Sequence, residues 1–179
     1  MKALLNLSRW IDSLNERAGK LVMWLVLITT LIATGNALAK YLLGEGSNAW
    51  LEAQWYGFGA MFLLGAGYTL RHNGHVRIDI LYQRLSPKGQ AWIDLLGGVL
   101  FLLPVAGLLT WLSWPLLVES LRINEMSPDA GGLARWPIKL LLPLGFGLLL
   151  LQGFSEIIKR IGVLTGDIPP INEKPAEEV

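Results

Sequence analysis

Residues 95–118 read Leu95-Leu-Gly-Gly-Val-Leu-Phe-Leu-Leu-Pro-Val-Ala-Gly-Leu-Leu-Thr-Trp-Leu-Ser-Trp-Pro-Leu-Leu-Val118, 24 residues without a charged side chain between Asp94 and Glu119. A helix needs about 17–25 apolar residues to cross a hydrocarbon core roughly 30 Å thick. Three more runs free of Asp, Glu, Lys, Arg and His surround this one. They lie between Lys20 and Lys40, Glu52 and Arg71, and Lys139 and Glu156, and hold 19, 18 and 16 residues. The last is lengthened at its start by Trp136, Pro137 and Ile138, with the Lys139 head group reaching the interface. These runs predict an all-α integral membrane protein with four transmembrane helices.

Composition supports the same class. The 179 residues are 53% hydrophobic and 16% charged, against about 45–50% and 25% in soluble domains. Mean hydropathy is +0.45. No cysteine is present, which removes disulfides, thiolate metal sites, iron–sulfur clusters and cysteine nucleophiles. A net charge of +1 without a clustered basic face excludes a nucleic-acid partner.

Basic residues set the orientation. The segment through Lys20, the connection from Arg71 to Lys88 and the C-terminal tail hold 11 of the 15 Lys and Arg, and the other two connections hold 4. The positive-inside rule then places both termini in the cytoplasm. Trp24 and Trp92 fall near the inner ends of their runs, and Trp50, Trp55, Trp111, Trp114 and Trp136 near the outer ends, as interfacial belts do. The rival reading of the first run is a leader cleaved after Ala37-Leu38-Ala39. The long preceding segment with Asp12 and Glu16 speaks against it.

Three regions follow: 1–20, 21–160 and 161–179. In the first, Leu4, Leu7, Trp10, Ile11, Leu14 and Ala18 form one stripe at 100° per residue, opposite Lys2, Arg9, Asp12, Glu16 and Lys20. This predicts an amphipathic helix on the cytoplasmic membrane surface, and the same stripe serves for docking on protein. Asn73-Gly74 signals a turn, and Ser86-Pro87 an N-cap with a first-turn proline. A helix from Pro87 to Arg122 would be about 54 Å long at ~1.5 Å per residue, with kinks expected at Pro104 and Pro115. Ser127-Pro128-Asp129-Ala130-Gly131-Gly132 reads as an outer loop. The proline-rich, acidic end after Gly166 reads as disordered.

The spans contain no ionisable residue, whereas transport and redox cores place charge within the membrane. Thr29, Thr30, Thr34, Asn36 and Gln152 are their main polar side chains, suited to bonding between helices. His72 and His75, with Asp79 as a third donor, make a weak metal constellation, because Gly74 interrupts the helix. Neither histidine lies inside a span, as axial haem ligands would. Ala53, Gly57, Ala60, Leu64 and Gly67 form a small-residue face that allows close helix approach. That face serves packing within this chain or against a larger membrane partner.

Three stretches carry a resemblance: Glu52-Ala-Gln-Trp-Tyr-Gly-Phe-Gly59, Leu70-Arg-His-Asn-Gly-His-Val-Arg-Ile-Asp-Ile-Leu81 and Gly131-Gly-Leu-Ala-Arg-Trp-Pro-Ile-Lys-Leu-Leu-Leu-Pro-Leu-Gly145. Together they resemble the small permease (DctQ-like) subunit of tripartite ATP-independent periplasmic (TRAP) transporters, over roughly residues 20–160. The resemblance implies a bacterial inner-membrane scaffold without enzymatic activity, set among membrane lipids. Its partners would be a large permease subunit and a periplasmic substrate-binding protein for an organic acid. Sodium coupling would belong to the large subunit, so no cofactor is expected here. Arg71, His75, Arg77 and Asp79 would take structural or subunit-contact positions, with Glu52, Gln54 and Trp55 near the outer end of the same helix. Gly57, Arg135 and Trp136 complete the candidate set. The plainer reading makes the arginines cytoplasmic anchors. Two rival functions are an anchor for an unrelated complex and a small enzyme acting on lipid or quinone. The enzyme would need Glu52, Asp94, Glu119 or Glu156 to converge in pairs.

Overall fold

The structure is a computed structural model describing residues 1–75 and 82–169. Helix α1 spans Lys2–Leu43, about 63 Å at ~1.5 Å per residue, and stops at Gly44, whose φ of 75° suits a left-handed helix end. Helix α2 spans Asn48–Arg71 and ends in the expected turn, with Asn73 at φ 51° and the Gly74 N–H donating to Thr69 O at 2.9 Å. Helix α3, Pro87–Gly97, starts as predicted: Ser86 Oγ accepts from the Gly89 N–H at 3.2 Å. It passes through one π turn, Gly98–Leu102, into α4, Leu103–Arg122. The wide turn falls directly before Pro104, which has no N–H and crowds the carbonyl four residues back. Pro115 sits within α4 without a break in it. Helix α5, Trp136–Thr165, ends at Gly166, φ 81°.

Helix α5 is the hub. It packs against α1, α2 and the α3–α4 rod, while α1 also packs along α2. Contacts fix the directions. Ser8 meets Ser155 and Asn15 meets Leu148, so α1 and α5 are antiparallel. Gly59 approaches Ile138 and Gly145 approaches Leu63, so α2 and α5 are parallel. Gly98 lies against Ile157 and Gly153 against Leu102, so α3–α4 runs antiparallel to α5. The start of α1, end of α2, start of α3 and end of α5 therefore share one end of the bundle. Close approach is literal at Gly145, where a Cβ would sit 2.7 Å from the Leu63 carbonyl oxygen.

Polarity is inside-out relative to a soluble protein. Ser8, Asn15, Ser120, Gln152 and Ser155 are fully buried, whereas Phe62, Phe101 and Trp111 are more than two-thirds exposed. A surface of that kind needs an apolar surrounding, and small or polar groups then form the helix contacts.

Two expectations are corrected here. Three helices, not four, are long and apolar enough to cross a membrane: Lys2–Leu43, Pro87–Arg122 and Trp136–Thr165. Helix α2 is long enough, but Gln54, Tyr56, Tyr68 and four glycines dilute its apolarity. The expected separate surface helix is also absent as a unit, because α1 passes Lys20 unbroken. Most of its apolar stripe faces away from the bundle, with Ile11 the exception. Ser8, Ile11, Asn15 and Gly19 are buried, and Leu4, Leu7 and Trp10 face outward. The last turn of α5 likewise continues past residue 160. Of the tail expected to be disordered after Gly166, Asp167 and Ile168 are instead held by N–H donation to Gly162 O at 2.9 and 3.2 Å, and residues 170–179 lie outside the described residues.

Candidate functional site

Polar side chains collect at two junctions, one at each end of the bundle. At the end holding the α1–α2 turn, Glu52 projects from α2 into the loop between α4 and α5 with only 2% of its surface exposed. It accepts hydrogen bonds from the Ser127 hydroxyl, the Leu133 N–H at 2.7 Å and the Arg135 guanidinium at 3.1 Å. Arg135 also donates to Ser127 Oγ at 3.0 Å. A buried carboxylate needs such a set, because desolvation otherwise makes its charge costly. The loop is further held by Tyr56, whose hydroxyl donates to Ala134 O at 3.0 Å, and by Asn48, which donates to Ala130 O at 3.0 Å. Lys139 pairs with Glu125 and holds its carboxyl below the ordinary range.

The other junction ties α1 to α5 and α2. Asp12 accepts from Ser155 Oγ at 2.6 Å, Gln152 Nε2 at 2.8 Å and Lys159 Nζ at 3.3 Å. Gln152 also donates to Glu156 at 3.0 Å, and Lys159 pairs with Glu156 at 2.5 Å. Beside them, Glu16 binds Lys20 at 3.1 Å, Arg71 at 2.9 Å and His72 at 2.8 Å. Arg71 reaches the Asp12 carbonyl as well. On the far side of α5, Arg160 pairs with Asp94 at 3.1 Å, and the Tyr82 hydroxyl donates to the same carboxylate at 2.7 Å.

The predicted residues divide accordingly. Glu52 and Arg135 meet across 83 positions of sequence. Arg71 ties the end of α2 to α1, and Gly57 packs on the Thr29 methyl of α1. Gln54 is half-buried, and Trp55 and Trp136 are exposed. His75 is exposed and lines a cleft beside Asp94, Glu156 and Arg160. Arg77 and Asp79 lie outside the described residues. Gln152 bonds between helices, as its burial in an apolar run suggests. Thr29 and Thr30 instead donate to carbonyls of their own helix, and Asn36 accepts from the Ser47 N–H. The carboxylates that an enzyme would need free are each engaged: Glu52 with Arg135, Glu119 with Arg122, Asp94 with Arg160 and Glu156 with Lys159.

Sequence reasoning missed Asp12, Asn15, Ser155, Lys159 and Ser127. A signal for α1 existed: Ser8, Asp12, Asn15 and Gly19 recur at helical spacing, a small and polar stripe of the kind that mediates helix contacts in membranes. Ser127 carried no such signal.

A family profile described as "Tripartite ATP-independent periplasmic transporters, DctQ component" matches residues 29–162, and the chain belongs to this family. It is therefore a multi-pass inner-membrane transporter component and not an enzyme. It is similar to the C4-dicarboxylate TRAP transporter small permease protein DctQ of Pseudomonas aeruginosa, with 32% identity over 137 residues, 74% of this chain and 62% of that protein. The chain thus spans about three-fifths of the length of that curated relative. No solved structure matches it.

Proposed function

We propose that this chain is the static small subunit of a sodium-coupled TRAP transporter for an organic acid. It would widen the fixed part of the permease, against which the large subunit moves its substrate. The observation that carries the reading is the use of the polar groups. The charged side chains at both junctions bind other groups of this chain, leaving an apolar, aromatic outer surface. Sodium and substrate would be handled by the large subunit, and solute would arrive on a periplasmic binding protein. A C4-dicarboxylate is the solute named for the P. aeruginosa relative, and it is the first to test.

In this reading α2 packs beside α1 and α5, with its glycines turned toward those neighbours. The end that gathers the start of α1, the end of α2 and the end of α5 carries most of the Lys and Arg, which supports cytoplasmic termini. Trp55, Gln54 and Trp136 at the outer end and His75 at the inner end, together with Arg77 and Asp79 further along the sequence, are the residues proposed to meet partners. Glu52, Gly57, Arg71 and Arg135 act inside the chain. Reconstitution of the large subunit in proteoliposomes with and without this chain tests the proposal. Uptake driven by a sodium gradient should require both. Equal uptake without this chain, or uptake by this chain alone, would overturn it.

A further inference from the structure

A cleft of about 350 Å³ lies where the end of α2, the α3–π–α4 rod and α5 come together. One end is polar, lined by Arg160, Asp94 and Glu156; the other is apolar, lined by Gly97, Gly98 and Leu102. Along α5 the cleft extends from Gly153 to Arg160, roughly 10 Å at ~1.5 Å per residue. We propose that this cleft holds the headgroup of one phosphatidylethanolamine molecule, with the acyl chains leaving past Gly97 and Leu102 into the surrounding hydrocarbon.

The graded polarity selects an amphiphile. The apolar run of α5 ends at Glu156, so the polar end lies at headgroup depth and the apolar end within the acyl region. The charges select the headgroup. Among the described residues, the lining carries one guanidinium, two carboxylates and the His75 imidazole. Asp94 already pairs with Arg160 at 3.1 Å, and Lys159, behind Glu156, pairs with it at 2.5 Å, so each carboxylate offers only its remaining lone pairs. These formal charges cancel, so an anionic headgroup gains no net attraction, while a phosphate joined to an ammonium finds both signs. The Arg160 fork suits phosphate oxygens. The three N–H donors of ethanolamine suit Asp94 and Glu156, whereas choline has none to offer. The Gly97 position leaves the acyl exit open, since a Cβ there would meet nothing within 4 Å.

The same opening gives a clean test. Gly97→Leu puts a bulky side chain at a cleft position where the Cβ itself meets nothing within 4 Å, and Gly107→Leu, on α4 outside the cleft, where a Cβ meets only Leu150 at 4.0 Å, is its control. Native mass spectrometry of the full chain in mild detergent reads bound lipid as phosphatidylethanolamine, phosphatidylglycerol or phosphatidylcholine is titrated in; thermal unfolding runs in parallel. Expected are one retained phosphatidylethanolamine per chain, at least ~tenfold weaker retention of the other two, and loss of retention in Gly97→Leu alone. Equal retention of the three lipids, retention unchanged in Gly97→Leu, or equal loss in both variants would overturn the proposal. Unfolding temperatures without added lipid should match among the three proteins, so a lost lipid is not a lost fold.

Discussion

Replacing Gln152 by Leu tests whether the α1–α5 junction holds the bundle together. Gln152 is fully buried and donates to Asp12 at 2.8 Å and to Glu156 at 3.0 Å. Hydrogen bonds to charged groups contribute about 1.5–3 kcal/mol each, so losing two costs roughly 3–6 kcal/mol. One term works the other way. The Gln152 Oε1 atom is buried without a protein partner, and removing such an acceptor recovers about 1–3 kcal/mol. Neither carboxylate is stranded, because Asp12 keeps Ser155 and Lys159, and Glu156 keeps Lys159. The mid-values of these two ranges leave a net destabilisation of about 2.5 kcal/mol. For a chain of this size 1 kcal/mol corresponds to ~2–4 °C, so Tm should fall by roughly 5–10 °C. Thermal unfolding followed by tryptophan fluorescence, in one detergent at fixed lipid content, reads the shift. An unchanged or raised Tm in Gln152→Leu would show that the junction is electrostatically neutral to stability and refute the reasoning.

Three other perturbations address separate parts of the molecule. Glu52→Gln weakens the hold on the loop between α4 and α5, so trypsin should cut at Arg135 several-fold faster than in the unaltered chain; an equal rate would deny Glu52 that role. Trp10→Ser and Ile11→Ser compare adjacent residues, one 62% and the other 3% exposed. The first should leave Tm in detergent unchanged and the second lower it by about 2–4 kcal/mol equivalent, and the reverse order would place the wrong face of α1 inside. Lys139 lowers the folded-state value of the Glu125 carboxyl, so the pair's contribution is present above the ordinary carboxylate range and lost as pH falls through the lowered value. The Tm difference between the unaltered chain and Glu125→Gln should therefore stand at neutral pH and close in acid, and a gap independent of pH would dismiss the pair.

Much of the fold was legible because it rests on local rules. Charge-free runs mark the long helices, since hydrocarbon tolerates no unpaired charge, and Ser86-Pro87 marks the start of α3 because the hydroxyl supplies an acceptor that the first turn lacks. The inward face of α1 was not legible from its apolar stripe. In water that stripe would seek the core. In a membrane the lipid is as apolar as leucine, so Ser8, Asn15 and Gly19 win the interior by close packing and hydrogen bonding. Helix α2 misled in the opposite sense: an uncharged run suggested a span, while its glycines and tyrosines serve the neighbours on either side. Glu52 and Arg135 were picked singly, but their pairing, and the part played by Ser127, depend on how a loop folds back across the bundle. No periodicity encodes that.

The pairing of α1 with α5 joins the earliest made of these five helices to the latest, and this has a consequence for biosynthesis. When α1 leaves the ribosome, Asp12 and Asn15 face a side on which nothing yet stands. The Arg71 and His72 partners of Glu16 arrive with α2, so a hairpin can close early. Gln152, Ser155 and Lys159 come only after some 140 further residues. A truncated product lacking α5 is thus left with an uncompensated carboxylate beside the bilayer, a mark by which membrane proteases can separate unfinished chains from finished ones before any partner is engaged.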